Sequence, residues 1–356
     1  ALYEKGLAEV AGRKYTEAIA TFETVLKNQP DNANSDRVLY ELAWAYSSSG
    51  EAAKAATTFA KLADQHPESK LAAEAAFHVG EEAYKQKDYQ KAVTAYSTAQ
   101  QQRDNEALAE KVDYKLGWSL YQMKQYDKSL EQFEKQIGSF PKGALAADAL
   151  FMKGECLFQV KDYEQALPVF VAANATEASS PLIAVLTKLH GGQSAAQLEK
   201  WEQSLQLLDP IPAEHPDSPY LPEVRYEIGR AKQKLGRTDE ALVDYRWAAD
   251  RSRSAVGARA QFMAGEILFG SKKYDEAIKD FQRVMFRFGG ENVAEDIQNW
   301  QAKAGYEAGR CSEVRIKAAK NSTERVQRIA DAKKMYSYVV EQHAKHELAA
   351  EAAKRL

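Results

Sequence analysis

The sequence predicts an all-α fold built from stacked helix-turn-helix repeats. Three observations lead to this prediction. A ten-residue motif recurs along the chain, as KDYQKAVTAY at 87–96, KDYEQALPVF at 161–170 and KKYDEAIKDF at 272–281. Helix-favouring Ala, Glu, Lys, Gln and Leu dominate throughout. The chain lacks the alternation of apolar and polar residues that is typical of strands.

The motif recurs at a fixed interval. Its central small residue appears eight times, at steps of 36 to 38 positions, at Ala18, Ala55, Ala92, Ser129, Ala166, Ser204, Ala241 and Ala277. A bulky residue, usually an aromatic one, follows four positions later, as Tyr96 follows Ala92. Positions four apart share one face of a helix. Each copy therefore predicts a helix, here named helix B, that presents a small and a bulky side chain together.

A second helix, helix A, is predicted before each helix B. Twelve positions before the small residue stands a Gly or Ala, such as Gly80 or Gly117, and three positions earlier a ring is usual, such as Phe77. Glycine inside a helix costs about 1 kcal/mol relative to Ala, so its recurrence indicates a close contact between helices. A short turn, 86–88 in the third copy, joins the two helices. Because one hairpin cannot bury its apolar face alone, neighbouring hairpins must stack.

This pattern resembles the tetratricopeptide repeat, which has a small residue in its first helix, an A-x₃-F pair in its second and a closing proline. The prolines here are Pro30, Pro67, Pro141 and Pro216. The resemblance covers eight repeats over residues 1–290 and implies a right-handed superhelical α-solenoid. The unit is longer than the usual length of about 34 residues. In this respect, and in HPESKLAAEAAFHVG at 66–80, it resembles bacterial envelope proteins such as the outer-membrane assembly lipoprotein BamD and the Tol–Pal coordinator CpoB.

The spacing changes after residue 290. The next small residue is Ala332, so about 18 residues are extra, and a ninth, longer helical repeat with an insertion is predicted over 291–344, with a break at Asn321. Residues 345–356 are interpreted as the first helix of a truncated tenth repeat. Both ends stop in mid-repeat, and we expect a fragment of a longer protein or ends that pair with another surface. The adjacent Gly191 and Gly192 predict a kink or bend between two half-arrays near 174–200.

No catalytic or metal-binding constellation emerges from the sequence. It contains neither a phosphate-binding glycine loop nor an HExxH motif. His343 and His346, three residues apart, could share a helix face and bind a metal, but they are interpreted as surface histidines. Cys156 is interpreted as a buried small side chain. The net charge of −3 argues against a dedicated nucleic-acid binder. No apolar run is long enough to span a bilayer. We therefore predict a non-enzyme without cofactors.

The resemblance implies a partner-binding groove lined mainly by helix A. The groove positions one and four residues after the small residue of helix A are Trp44, Glu81, Tyr84, Trp118, Tyr121, Glu155, Phe158, Arg230, Glu266 and Phe269, with Gln193 also at the first of them. Large rings with carboxylates between them would suit an extended or helical peptide that bears apolar and basic side chains. The alternative is that these rings only pack between neighbouring helices.

Three functions fit these observations. The leading hypothesis is a non-enzymatic scaffold that binds a partner polypeptide in its concave groove, in a periplasmic or cell-envelope location rather than the cytoplasm. The second is a structural component that self-assembles end to end into a filament or lattice. The third is a helical clamp belonging to a larger polymer-processing enzyme.

Overall fold

The computed structural model describes residues 1–29, 33–101, 105–176, 180–288 and 293–356. All regular secondary structure in these ranges is helical, as the sequence predicts. The chain divides into two compact units, Ala1–Ser179 and Ser180–Leu356. The predicted all-α solenoid of helical hairpins is confirmed.

The first unit consists of five hairpins, in which odd-numbered helices are helices A and even-numbered helices are helices B. The helices are α1 (Leu2–Ala11), α2 (Tyr15–Asn28), α3 (Ser35–Ser48), α4 (Ala52–Gln65), α5 (Ala72–Lys85), α6 (Tyr89–Gln100), α7 (Glu106–Gln122), α8 (Tyr126–Ser139), α9 (Ala146–Gln159) and α10 (Tyr163–Asn174). The turn between α5 and α6 is the predicted 86–88. Pro30 lies outside the described residues.

The second unit continues the series with less regular helices. They are α11 (Pro181–Gln197), α12 (Trp201–Leu208), α13 (Ile211–Glu214), α14 (Leu221–Lys234), α15 (Thr238–Arg251), α16 (Ala255–Gly270), α17 (Tyr274–Arg287), α18 (Glu295–Ile316), α19 (Ser322–Gln342) and α20 (Leu348–Ala353). The helices A of this unit are α11, α14, α16 and α18. Pro210 and Pro212 divide the sixth helix B into α12 and α13, because proline supplies no N–H to continue a helix. Gly191 and Gly192 lie buried within α11, which is helical from Pro181 to Gln197.

The glycine of each helix A provides the space for the ring of its helix B. A Cβ atom added at Gly80 would lie 2.5 Å from the Tyr96 ring, and one at Gly265 would lie 2.6 Å from Phe281. Tyr96 and Phe281 are completely buried. The close helix contact predicted from the recurring glycine is therefore confirmed.

The turn from helix A to helix B has one conformation in the first eight repeats. Its residue with positive φ recurs at Arg13, Gly50, Lys87, Lys124, Lys161, Glu199, Gly236 and Lys272. In the third repeat, Lys87 N–H donates to the Tyr84 carbonyl and Asp88 N–H to the Ala83 carbonyl, each at 2.9 Å. These two bonds form a Schellman motif. The Asp88 carboxylate then accepts the N–H of Lys91 and caps helix B.

The ninth hairpin is lengthened in both helices. Helix α18 has 22 residues and α19 has 21. The two are separated between Ile316 and Ser322, where the Asn321 side chain accepts the N–H of Glu324 at 2.8 Å. Gly309 takes the glycine position here, because an added Cβ would lie 2.5 Å from Tyr336. The extra residues therefore extend the hairpin without replacing its core contact.

Neighbouring A helices also touch one another. In the first unit α5 contacts α7 and α7 contacts α9, and in the second unit α14 contacts α16 and α16 contacts α18. Within each unit these helices present adjoining faces, which we call the helix-A surface of that unit.

Candidate functional site

The ten predicted groove residues are divided between the units. Seven lie in the first unit, from Trp44 to Phe158, and three lie in the second, from Arg230 to Phe269. All of them belong to A helices.

Helix α7 carries a stack of three rings. The Trp118 ring lies between Tyr114 and Tyr121, with centroids 6.4 Å and 5.7 Å away and planes inclined by 8° and 6°. The spacings of four and three residues place these side chains on one helix face. All three rings are half-buried. The stack therefore provides an apolar surface that remains partly open to solvent.

The Tyr/Phe position at the end of helix A has a structural role. Tyr84, Tyr121, Phe158 and Phe269 meet the first ring of the following helix B edge to face, at Tyr89, Tyr126, Tyr163 and Tyr274. The centroid distances are 5.3 to 5.7 Å. We call each such pair a ring clasp. One side of each of these rings therefore packs within the chain, as the alternative interpretation expects. A partner could contact only the part of each ring that is still exposed.

The predicted carboxylates make internal contacts. Glu81 accepts a hydrogen bond from the Tyr96 hydroxyl and pairs with Lys115 of the next helix A at 3.0 Å. The Lys115 ammonium also lies 5.4 Å from the centre of the Tyr84 ring. Glu155, at the equivalent position, is only 6% exposed. Glu81 thus helps to fix the helices, and little of Glu155 is open to a partner.

Trp44 borders a cavity of 450 Å³ between α3 and α5, with α4 beside it. Glu81 and Tyr84 also line it, so the structure brings three predicted residues together here. The Trp44 ring meets His78 edge to face at 4.8 Å. His78 is half-buried, and burial lowers the pKa of its imidazole. Burial therefore favours the neutral form of this side chain.

The predicted residues of the second unit have a different environment. Arg230 pairs with Glu227 at 3.3 Å, and its guanidinium lies 5.5 Å from the centre of the Trp201 ring. Gln193 donates to Glu223 at 3.0 Å. Arg230 therefore covers a ring of its own chain.

Glu266 is the most perturbed carboxylate among the predicted residues. Burial, with a smaller contribution from Glu307, raises its pKa to about 7, and Arg310 acts in the opposite direction. Arg310 is engaged by Glu307 at 2.9 Å and lies 5.2 Å from the centre of the Phe269 ring. The Glu266 carboxyl therefore changes its charge near neutral pH.

Other residues considered from the sequence lie apart from these surfaces. His343 contacts the Tyr338 hydroxyl at 3.2 Å, whereas His346 contacts Asn299 at 2.9 Å. Both histidines follow the end of α19, so they do not share a helix face. Cys156 is buried as predicted and contacts Ser129 at 3.2 Å. Burial raises the pKa of its thiol to about 12.

Among the helices of the described ranges, none has both the length and the apolar character needed to span a lipid bilayer. Nor do three or more His, Cys, Asp or Glu side chains in these ranges converge as metal ligands would.

Several residues that build these surfaces were not among the groove residues predicted from the sequence. Tyr114 completes the ring stack, Lys115 links Glu81 to Tyr84, and His78 lines the Trp44 cavity. Only Tyr114 belongs to a recurring position. The sequence also contains a signal for the cavity beside Trp44. In the second repeat, Ser47 and Ala52 occupy the two positions where other repeats have the rings of the clasp.

The family model YfiO, described as an outer membrane lipoprotein, matches residues 71–266, which is more than half of the chain. The chain belongs to the YfiO family. Two tetratricopeptide-repeat models match this YfiO-family chain at residues 10–76 and 258–285. The resemblances to the tetratricopeptide repeat and to envelope lipoproteins are therefore confirmed.

Two solved structures are similar to this YfiO-family chain. The apo form of RapI is 16% identical, with 90% of this chain and 98% of that chain covered and a TM-score of 0.52. A tetratricopeptide repeat protein from Parabacteroides merdae is 15% identical, with 76% and 99% covered and a TM-score of 0.48. Among curated protein sequences, none matches significantly. At such identity, the likeness to RapI concerns the fold alone.

Proposed function

We propose that this chain is a non-enzymatic scaffold of the bacterial cell envelope that binds a partner polypeptide on the helix-A surface of its first unit. The observation that carries this proposal is the half-buried stack of Tyr114, Trp118 and Tyr121 on α7. Large rings that remain partly open provide much of the binding energy at protein interfaces. The tetratricopeptide repeat is an interaction module, which supports a role in protein binding.

Charge indicates the kind of partner. Residues 1–179 contain 26 Asp and Glu against 20 Lys and Arg, a formal charge of −6. Opposite charge on a partner speeds its encounter and favours the correct orientation. A polypeptide that carries apolar and basic side chains would therefore suit this unit.

Peptide selection tests the binding surface. A random-peptide display library is selected on the whole chain, and the affinity of enriched synthetic peptides is measured by calorimetry for the wild type and Trp118→Ala. We expect Trp118→Ala to weaken binding about tenfold or more, as for a ring at the centre of an interface. Trp247→Ala in the second unit is the matched control and should bind normally, because Arg251 covers Trp247 at 4.2 Å.

Circular dichroism melts of both variants separate lost contacts from lost folding. The proposal is contradicted if no peptide is enriched, or if a folded Trp118→Ala variant binds as tightly as the wild type.

The location is tested separately. The family is described as outer membrane lipoproteins, which supports an envelope role for this member. Antibodies against the chain should detect the natural protein in the envelope fraction of its bacterium. Recovery in the cytosolic fraction alone would overturn the location and leave the binding proposal intact.

A further inference from the structure

The second repeat differs from its neighbours at one corner. In the third, fourth, fifth and eighth repeats, a ring clasp fills the space between the end of helix A and the start of helix B. In the second repeat, Ser47 and Ala52 occupy the two ring positions. The spacing of five residues is the same as between Tyr84 and Tyr89. Both rings of the clasp are therefore absent.

The backbone of this corner is unchanged. Gly50 has the positive φ that Lys87 has in the third repeat. The N–H groups of Gly50 and Glu51 donate to the Ser47 and Tyr46 carbonyls at 3.1 and 2.9 Å, which is again a Schellman motif. The chain has thus not collapsed to fill the space, and Ser47 and Ala52 are both exposed.

The Trp44 cavity lies at this position, since Ser47 and Ala52 are among the residues that line its 450 Å³. Aromatic side chains form its walls, at Trp44, Phe59, His78 and Tyr84. The Phe59 and His78 rings stack at 4.9 Å with an angle of 24°. Ala55 and Ala56 add small apolar surface. We call this cavity the second-repeat socket.

The edge of the socket is polar and largely paired within the chain. Glu81 is engaged by Tyr96 and Lys115, and Glu82 accepts a hydrogen bond from Gln86 at 2.8 Å. Lys85 is exposed beside them. Because Gln86 is neutral, Glu82 keeps its negative charge at the edge of the socket, whereas Lys115 balances the charge of Glu81.

The seventh repeat provides a contrast. It also lacks both clasp rings, because Gln233 and Thr238 occupy the positions. There, however, the Gln233 side chain accepts a hydrogen bond from the Tyr245 hydroxyl at 2.9 Å. In the seventh repeat the long Gln233 side chain therefore lies in this space. The Ser47 side chain of the second repeat is too short to do the same.

We propose that the second-repeat socket binds an aromatic side chain of a partner polypeptide, adjacent in that partner to a Lys or Arg. The aromatic ring of the partner would occupy the space that a ring clasp fills in other repeats. The neighbouring basic residue follows from the charge of −6 on this unit. This inference rests on the proposed function and names the side chain that determines its specificity.

Filling the socket gives the sharpest test. The double variant S47Y/A52Y rebuilds the clasp that four other repeats already contain, so it should melt at or above the temperature of the wild type. Calorimetry is repeated with the peptides selected on the wild-type chain. We expect binding to fall about tenfold or more in the double variant. Replacing the aromatic residue of the peptide by leucine should have a similar effect on the wild type and little further effect on the double variant.

A second measurement needs no variant. The imidazole signals of His78 are followed by NMR in the wild-type chain while N-acetyltyrosinamide or N-acetylleucinamide is added. The tyrosine compound should shift the His78 signals through the ring current of its side chain, and the leucine compound should not.

The outcomes separate the two proposals. If peptides bind and Trp118→Ala weakens them, but filling the socket and removing the peptide ring change nothing, the socket proposal is wrong while the binding surface stands. If no peptide binds at all, both are wrong. Equal shifts of His78 with both compounds would also overturn the aromatic preference.

Discussion

The aromatic side chains of the two units have different neighbours. In the first unit the rings on A helices meet other rings, as in the stack around Trp118. In the second unit the rings on A helices also lie close to cations: Arg259 is 4.4 Å from the centre of Tyr226, and Lys303 is 4.9 Å from that of Trp300. Within the described residues, eight of the ten cation–ring contacts belong to the second unit.

This difference arises on one common framework. Both units use the same glycine–ring contact inside each hairpin, as at Gly80 and Gly265. The repeat therefore determines the core, while the residues that vary between repeats determine which rings remain open to a partner. A cation–ring contact satisfies both of its members within the chain, and this reduces the surface available to a partner in the second unit.

The largest expected effect tests whether the cores are equivalent. Phe133→Ala in the first unit and Phe281→Ala in the second each remove a completely buried ring. Each should lower the free energy of unfolding by about 3–5 kcal/mol, measured by urea denaturation with circular dichroism. Val243→Ala, at a side chain that is 67% exposed, is the control and should change little. Very different losses at the two phenylalanines would show that the shared core is not equivalent.

A smaller effect tests the cations of the second unit. Arg259 lies near both Tyr226 and Trp300, at 4.4 and 5.9 Å from their ring centres. Arg259→Gln should lower the free energy of unfolding by about 1–2 kcal/mol. The exposed Lys91 of the first unit provides a matched control, and Lys91→Gln should be near neutral. Equal effects would mean that the cations do not stabilise the rings.

The pH dependence of stability should depend on Glu266. Its pKa rises from 4.5 to about 7 on folding, so the folded chain favours the protonated carboxyl. The contribution of this carboxyl to stability should therefore fall as pH rises from about 4.5 to about 7. Since this residue is partly exposed, Glu266→Gln should remove only about 1 kcal/mol of that fall. Thermal melts at pH 5 and pH 8 check this, and a variant whose pH dependence equals that of the wild type contradicts it.

The smallest effects concern the turns, which the two units share. Lys87 and Lys272 have φ of 62° and 60°, a region that L-residues other than Gly occupy at a cost. Lys87→Gly and Lys272→Gly should each raise the free energy of unfolding by about 0.5–1 kcal/mol. Gly50→Ala, at φ 86°, should lower it. Urea denaturation measures these changes. A loss of stability in either glycine variant would contradict the prediction that Lys87 and Lys272 are strained by their positive φ.

The core contact and the turn between helices A and B could be predicted from sequence because they repeat. Gly80 and Tyr96 recur as a pair in most copies, so chance is excluded and a close contact is the simplest cause. The turn at 86–88 follows from the same alignment. The ninth hairpin shows the limit, since its glycine position, Gly309, could be located only through its contact with Tyr336.

The surfaces could be predicted only in part. Glu81 and Glu155 share a repeat position, yet Glu81 pairs with Lys115 while Glu155 is buried. Such differences depend on residues that occur once, from a neighbouring helix. The second-repeat socket likewise needs α3, α4 and α5 together. Its only trace in the sequence is the absence of two rings.

The glycine–ring contact has a consequence for how this chain is made. Gly80 and Tyr96 are 16 residues apart, as are Gly117 and Phe133. Each hairpin can therefore close soon after it leaves the ribosome, without waiting for distant segments to be translated. Contacts that are short-range along the sequence favour rapid folding, and a newly synthesised chain would expose few apolar faces at any moment.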